Sequence, residues 1–109
     1  MTRRVIIDPE ADRDIEEQFD YFADRSIDSS LRFLQAANDT FEQLAEMPGM
    51  GAPHRCNNPE LDGVRVWPIR VFENYLAFYL AAEDSIQVVR VLHGARKLER
   101  IFKKAADIP

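Results

Sequence analysis

The chain has 109 residues, 46% of them apolar, with a formal net charge of −5 and a single cysteine. That length fits one domain over residues 1–109 and leaves no room for a second; a core of this size buries only roughly 60–68% of the unfolded surface. One cysteine excludes an intrachain disulfide, and no apolar run approaches the ~20 residues needed to span a membrane.

Val5-Ile6-Ile7 opens the chain as a short β-branched strand, too short for the apolar core of a signal peptide. With no disulfide and no membrane span, this points to the cytoplasm. Asp8-Pro9 marks a helix start: Asp can cap free N–H groups, and Pro suits the first helical position. The first helix is predicted over Pro9–Ala23, with Ala11, Ile15, Phe19, Phe22 and Ala23 on one stripe. Asp12, Glu16 and Asp20 recur every four residues on the other face. They read as a solvated surface rather than metal ligands, because nothing else in the sequence converges on them. After a polar break at 24–28, with Ser26 or Asp28 as a cap, a second helix is predicted from about Ser29 to Glu46. Leu34, Ala37, Phe41, Leu44 and Ala45 form its stripe, and Pro48 ends it.

Residues 49–63 read as a loop, in which Cys56 is incidental. The period then turns extended. Val64–Trp67 is a predicted strand, continued by Ile69–Phe72 past Pro68 as an edge or bulge. A turn at Glu73-Asn74 leads to a strand at Tyr75–Ala81, and a turn at 82–85 to a strand at Ile86–Leu92. His93-Gly94 breaks that strand, and Ala95–Ala106 is a short basic amphipathic helix. The order β-α-α-β-β-β-α gives an α+β fold, a helical hairpin packed on a small antiparallel sheet.

Charge is uneven. Residues 1–50 carry 5 basic and 12 acidic side chains, whereas residues 90–109 carry 6 and 2. An acidic body with a basic tail is not the pattern of a general nucleic-acid binder, which is basic across a face or groove; direct nucleic-acid binding is not expected. There is no glycine-rich phosphate loop and no histidine pair at ligand spacing, so no cofactor and no metal are expected. Arg65, Arg70 and Arg90 stand among apolar strand residues. By simple alternation Arg90 shares a face with Val88 and Leu92, and His93 with Val89 and Val91. Three roles are open for Arg90: an ion pair with a helix carboxylate such as Glu16 or Glu42, an exposed position on the uncovered sheet face, or contact with a phosphate. The structural roles are favoured, since arginine's planar fork serves both uses.

The run Ile86–Leu98, containing Arg90-Val91-Leu92-His93-Gly94-Ala95-Arg96, resembles the closing signature of ParE-type toxins. Asp8-Pro9-Glu10-Ala11 with Asp14-Ile15, Phe33-Leu34, Phe41–Pro48 with Gly51, Gly63-Val64-Arg65 and Tyr75–Tyr79 follow in the same family order. The resemblance is to the ParE/RelE superfamily, the toxins of type II toxin–antitoxin systems, and covers nearly the whole chain. It implies a cognate antitoxin encoded by an adjacent gene. ParE-like members are associated with poisoning DNA gyrase, and RelE-like members with cleaving messenger RNA on the ribosome.

The residues separate the two branches. The resemblance implies Tyr-Arg-Leu-Val-Tyr in the middle strand of ribosome-dependent members; here Leu76 replaces that arginine. Phe102 stands where many of them carry a tyrosine, and Trp67 and Ile69 stand where they carry lysines. Cleavage needs a base for the 2′-hydroxyl and a cation for the developing charge. Arg65, Arg90, His93 and Arg96 are the candidate set if the chain is an enzyme. A protein inhibitor of gyrase is favoured, with Arg65, Arg90, His93, Arg96, Arg100 and Lys103 as candidate contacts to target or antitoxin. A non-toxic relative that only binds its antitoxin is the remaining alternative.

Overall fold

A computed structural model describes residues 2–94. Strand β1 (Arg4–Ile7) leads into α1 (Pro9–Ala23) and α2 (Ile27–Glu46); β2 (Ala52–Pro53), a 3-10 turn at Pro59–Leu61, β3 (Arg65–Pro68), β4 (Tyr75–Ala81) and β5 (Ser85–His93) follow. The helix predicted over residues 95–106 lies outside the described residues.

Both helices start close to the predicted positions, but the Asp8 side chain makes no cap bond to α1; its carboxylate accepts from Gln87 instead. Pro9 sits in the first turn of α1 beside Glu10 and Asp12, which favour the positive end of the helix dipole. Ser26 caps α2 by accepting the Ser29 N–H, so α2 begins earlier than its apolar stripe suggests. The buried stripe of α2 is also rotated from the expected one. Phe33, Ala37, Phe41 and Leu44 are buried, while Leu34 is 37% exposed.

The sheet has five strands in the order β1-β5-β4-β3-β2. It is mixed, not wholly antiparallel: β1 runs parallel to β5, with Val5 opposite Ile86 and Ile7 opposite Val88. The helical hairpin follows β1 and the β3–β4–β5 meander follows the hairpin, so the chain returns beside β1 in the same direction, as a crossover between parallel strands requires. Residue 52–53 pairing with β3 adds a short strand within the predicted loop. The predicted strand at Ile69–Phe72 does not form. β3 ends at Pro68, whose missing N–H cannot extend the ladder, and Val71 takes a φ of 72°.

The helices cover one sheet face. Ala11, Ile15, Phe33, Ala37 and Phe41 pack on Ile69, Tyr75, Ala77, Val88 and Val91, with Phe22 and Phe72 against them. The other face is floored by Phe78, Val89 and Leu92 and covered by loop residues including Cys56, Leu61 and Val64. An irregularity between Phe78 and Tyr79 leaves one extra residue on β5: Phe78 faces Arg90, but Tyr79 faces Val88. Such a bulge shifts the alternation by one. Val88 thus joins Val91 on the helix side and Val89 joins Leu92 on the other, which corrects the face assignment expected from simple alternation.

Candidate functional site

β1 is an edge strand. The N–H groups of Arg4 and Asp8 donate to Asp84 O and Val88 O across the β5 ladder, so the intervening Val5 and Ile7 turn their backbone groups outward. Among the described residues no strand lies beyond them. Ile6 and Ile7 are 42% and 36% exposed. An edge of this kind, apolar and lacking a partner strand, invites pairing with another chain.

Next to this edge a cleft of about 480 Å³ opens on the sheet face away from the helices. Leu80 and Val89 lie at its floor, and Asp8, Glu10, Glu60 and Leu61 line its walls. Gln87 Nε2 donates to both oxygens of Asp8, 2.9 and 3.1 Å, which ties the start of α1 to β5.

Arg90 lies opposite Phe78 on this same face. Because β1 has ended, its side chain can pass the edge of β5 and reach α1. Nε and Nη2 donate to the two oxygens of Asp14 at 2.8 and 3.0 Å, and Glu10 adds a looser contact at 3.6 Å. The Val91 N–H also donates to Asp14, at 3.0 Å. Asp14 therefore takes the place of a strand partner at the point where β1 no longer supplies one. The bidentate bond to Asp14 raises the Arg90 pKa above its ordinary value, against the opposing effect of burial. The helix carboxylate is Asp14 rather than Glu16 or Glu42.

Arg65 lies on the helix side, opposite Tyr79. Its Nη1 donates to Gly51 O at 2.6 Å. Tyr79 Oη accepts the Gly51 N–H at 2.9 Å and donates to Pro48 O at 2.7 Å. A Cβ on residue 51 would lie 2.5 Å from Tyr79 Oη, so only glycine fits this approach. Burial raises the Tyr79 pKa, against the lowering effect of its backbone bond to Gly51.

His93 ends β5 in an exposed position, its ring 4.8 Å from that of Tyr75. Tyr75 and Tyr79, the register partners of His93 and Arg65, are four residues apart on β4, about 13 Å along the strand. Arg65, Arg90 and His93 are thus not gathered around one point: two lie on opposite sheet faces, each bonded inside the molecule. Arg96, Arg100 and Lys103 lie outside the described residues. Among the described residues no cluster of three or more His, Cys, Asp or Glu is placed to hold a metal ion, and no helix is long and apolar enough to cross a membrane.

Sequence reasoning missed Asp14 as the Arg90 partner and missed the Tyr79 lock. The only signal for Asp14 was its place beside Ile15, a core position. For Tyr79 it was Gly51, a glycine following a helix stop by three residues.

A family model for the ParE toxin of the type II toxin–antitoxin system parDE matches residues 5–98. Among solved structures, a chain from the chromosomal ParDE toxin–antitoxin system of P. aeruginosa superposes with a TM-score of 0.69 at 17% identity, covering 86% of this chain and 98% of that one. Identity that low speaks for the fold alone. No curated protein matches. The family match spans both helices and the whole sheet except the first residue of β1, and on it the chain belongs to the ParE toxin family of type II toxin–antitoxin systems.

Proposed function

We propose that this chain is the toxic half of a two-protein pair, neutralised by an antitoxin encoded beside it, and that it acts by binding a protein target, DNA gyrase, rather than by cutting RNA. The observation that carries the second half is the dispersal of Arg65, Arg90 and His93. A nuclease must aim a base and a cation at one phosphate. Here Arg65 serves the Gly51 carbonyl and Arg90 serves Asp14, so neither guanidinium is held ready for a substrate. Leu76, Phe102, Trp67 and Ile69 agree, since none can act as acid, base or cation. The net charge of −5 also weakens any approach to a ribosome, which is electrostatically driven.

For the antitoxin, the open edge of β1 and the adjoining cleft supply both backbone hydrogen-bonding groups and apolar surface. Expression with and without the product of the adjacent gene tests the pair. The lone chain should stop growth, the co-expressed pair should not, and the two proteins should co-purify. A lone chain that is harmless, with a neighbouring product that does not bind it, would remove the proposal.

A further inference from the structure

Val71 stands in left-handed backbone, φ 72°, with 75% of its surface in solvent. A β-branched side chain is a poor occupant of that region, because its Cβ crowds the neighbouring carbonyl. Glycine would sit there unstrained, and an exposed valine gains little packing in return. Fold stability alone therefore does not account for a valine at this position.

The backbone around it is firmly held. The Ile69 N–H donates to Tyr75 O, and the Arg70 N–H donates to Thr40 Oγ1 at 3.0 Å. Thr40 is itself buried and donates to Ala36 O. Phe72 packs its ring against Phe22 and Phe33, with centroids 5.4 and 5.3 Å away. Arg70 and Val71 thus form the tip of a fixed turn, both exposed. A groove of about 400 Å³ separates this tip from α2, lined by Arg32, Gln35, Asp39, Arg70, Val71 and Phe72 among others. Asp39, its one carboxylate, accepts from Gln35. Among the described residues Arg32 is held by an exposed pair with Asp28 at 3.6 Å, a contact of little worth that a new partner can replace. The lining thus holds two guanidiniums, Arg32 and Arg70, against one carboxylate, Asp39, on a body whose residues 1–89 carry a net −9.

We infer that the Arg70–Val71 tip and the groove beside it grip the target protein of the toxin. Their occupant is a protein segment offering a carboxylate to Arg70 and Arg32 and a small apolar socket to Val71. This inference rests on the toxin proposal above. The strain at Val71 is kept for binding, as backbone outliers at functional sites are. The tip follows β3, which β4 and β5 separate from β1, so an antitoxin paired to β1 is not the partner it serves.

Val71→Gly in the full chain tests this, with Arg70→Ala as an independent variant that leaves the backbone bond to Thr40 intact. Val71→Gly should raise Tm by about 4 °C, bind the adjacent-gene antitoxin as the parent does, and weaken growth inhibition by about tenfold, the factor that ~1.4 kcal/mol of lost contact produces. Arg70→Ala should weaken inhibition at unchanged Tm. A Tm that does not rise shows that the valine is not strained and overturns the inference. So does undiminished toxicity in both variants, or loss of antitoxin binding. If the parent cleaves messenger RNA and both variants do so less, the occupant is RNA and the protein assignment is overturned. A parent chain that does not inhibit growth removes the toxin proposal itself, a result distinct from toxic variants of a toxic parent.

Discussion

Asp14 holds Arg90 by two hydrogen bonds of 2.8 and 3.0 Å, and the same carboxylate accepts the backbone N–H of Val91. Their side chains are 11% and 20% exposed. One carboxylate thus fastens α1 to β5 just beyond the last residue of β1, at the root of the basic C-terminal segment. Removing either member strands the other in a poorly hydrated place. Asp14→Ala should cost more, because it abandons a guanidinium and a backbone N–H together.

Asp14→Ala is expected to lower stability by about 3 kcal/mol, the lower end of the range for breaking a buried pair, since both groups keep some contact with water. Arg90→Ala should lose about 2 kcal/mol on the same grounds. Denaturant unfolding of the two single variants and the double variant measures the coupling. Additive losses would show that the two residues do not act as a unit.

Tyr79 carries an alkaline signature. Burial raises its pKa above the ordinary tyrosine value of 10.0, so the folded state holds its proton more tightly than the unfolded chain. The stability this contributes is fully present below pH 10.0 and is lost as pH rises through the folded value. Tyr75 is shifted the same way, again by burial. Unfolding midpoints should therefore fall as pH climbs past 10, and less steeply in Tyr79→Phe. That variant also leaves the Gly51 N–H and Pro48 C=O without their partner, a loss of about 1–3 kcal/mol at neutral pH. Gly51→Ala should be destabilised comparably, by about 1–3 kcal/mol, because Tyr79 must move.

Both helices and the strands β1, β3, β4 and β5 were legible because period and punctuation suffice for them, whereas β2 fell in a predicted loop and the strand predicted at Ile69–Phe72 does not form. Asp8-Pro9 marked the start of α1, Pro48 the end of α2, and the β-branched run at Ile86–Leu92 the strand β5, which lies between β1 and β4. What could not be read depended on contacts distant in sequence. Nothing local says that β1 lies parallel to β5. The bulge that moves Val88 and Val89 to opposite faces is a matter of register with Phe78 and Tyr79. Arg90 was legible as a residue needing a partner, but several carboxylates of α1 and α2 competed on paper. Asp14 prevailed because it sits over β5 where β1 stops. Val71 looked like an ordinary strand residue; Pro68 and the packing of Phe72 force its backbone elsewhere.

The β1 edge should be the antitoxin's landing strip. Ile6→Lys places a charge on exposed surface, as natural edge strands do to discourage pairing, and should leave Tm within about 1 °C. Antitoxin affinity should drop by about tenfold, corresponding to ~1.4 kcal/mol. Isothermal titration reads it directly; unchanged affinity would place the antitoxin elsewhere.

Residues 90–109 carry 6 basic and 2 acidic side chains on an otherwise acidic chain. Reversing Arg96, Arg100 and Lys103 to Glu together should abolish growth inhibition or antitoxin binding while circular dichroism stays unchanged. Full toxicity with unaltered antitoxin affinity would reduce the basic tail to a solubility device.

Supercoiling by purified DNA gyrase in the presence of the purified chain decides between gyrase inhibition and RNA cleavage. The chain should inhibit supercoiling, the adjacent-gene antitoxin should reverse the inhibition, and ribosome-bound messenger RNA should stay intact under the same conditions. Unimpaired supercoiling alongside cleaved messenger RNA would contradict gyrase inhibition.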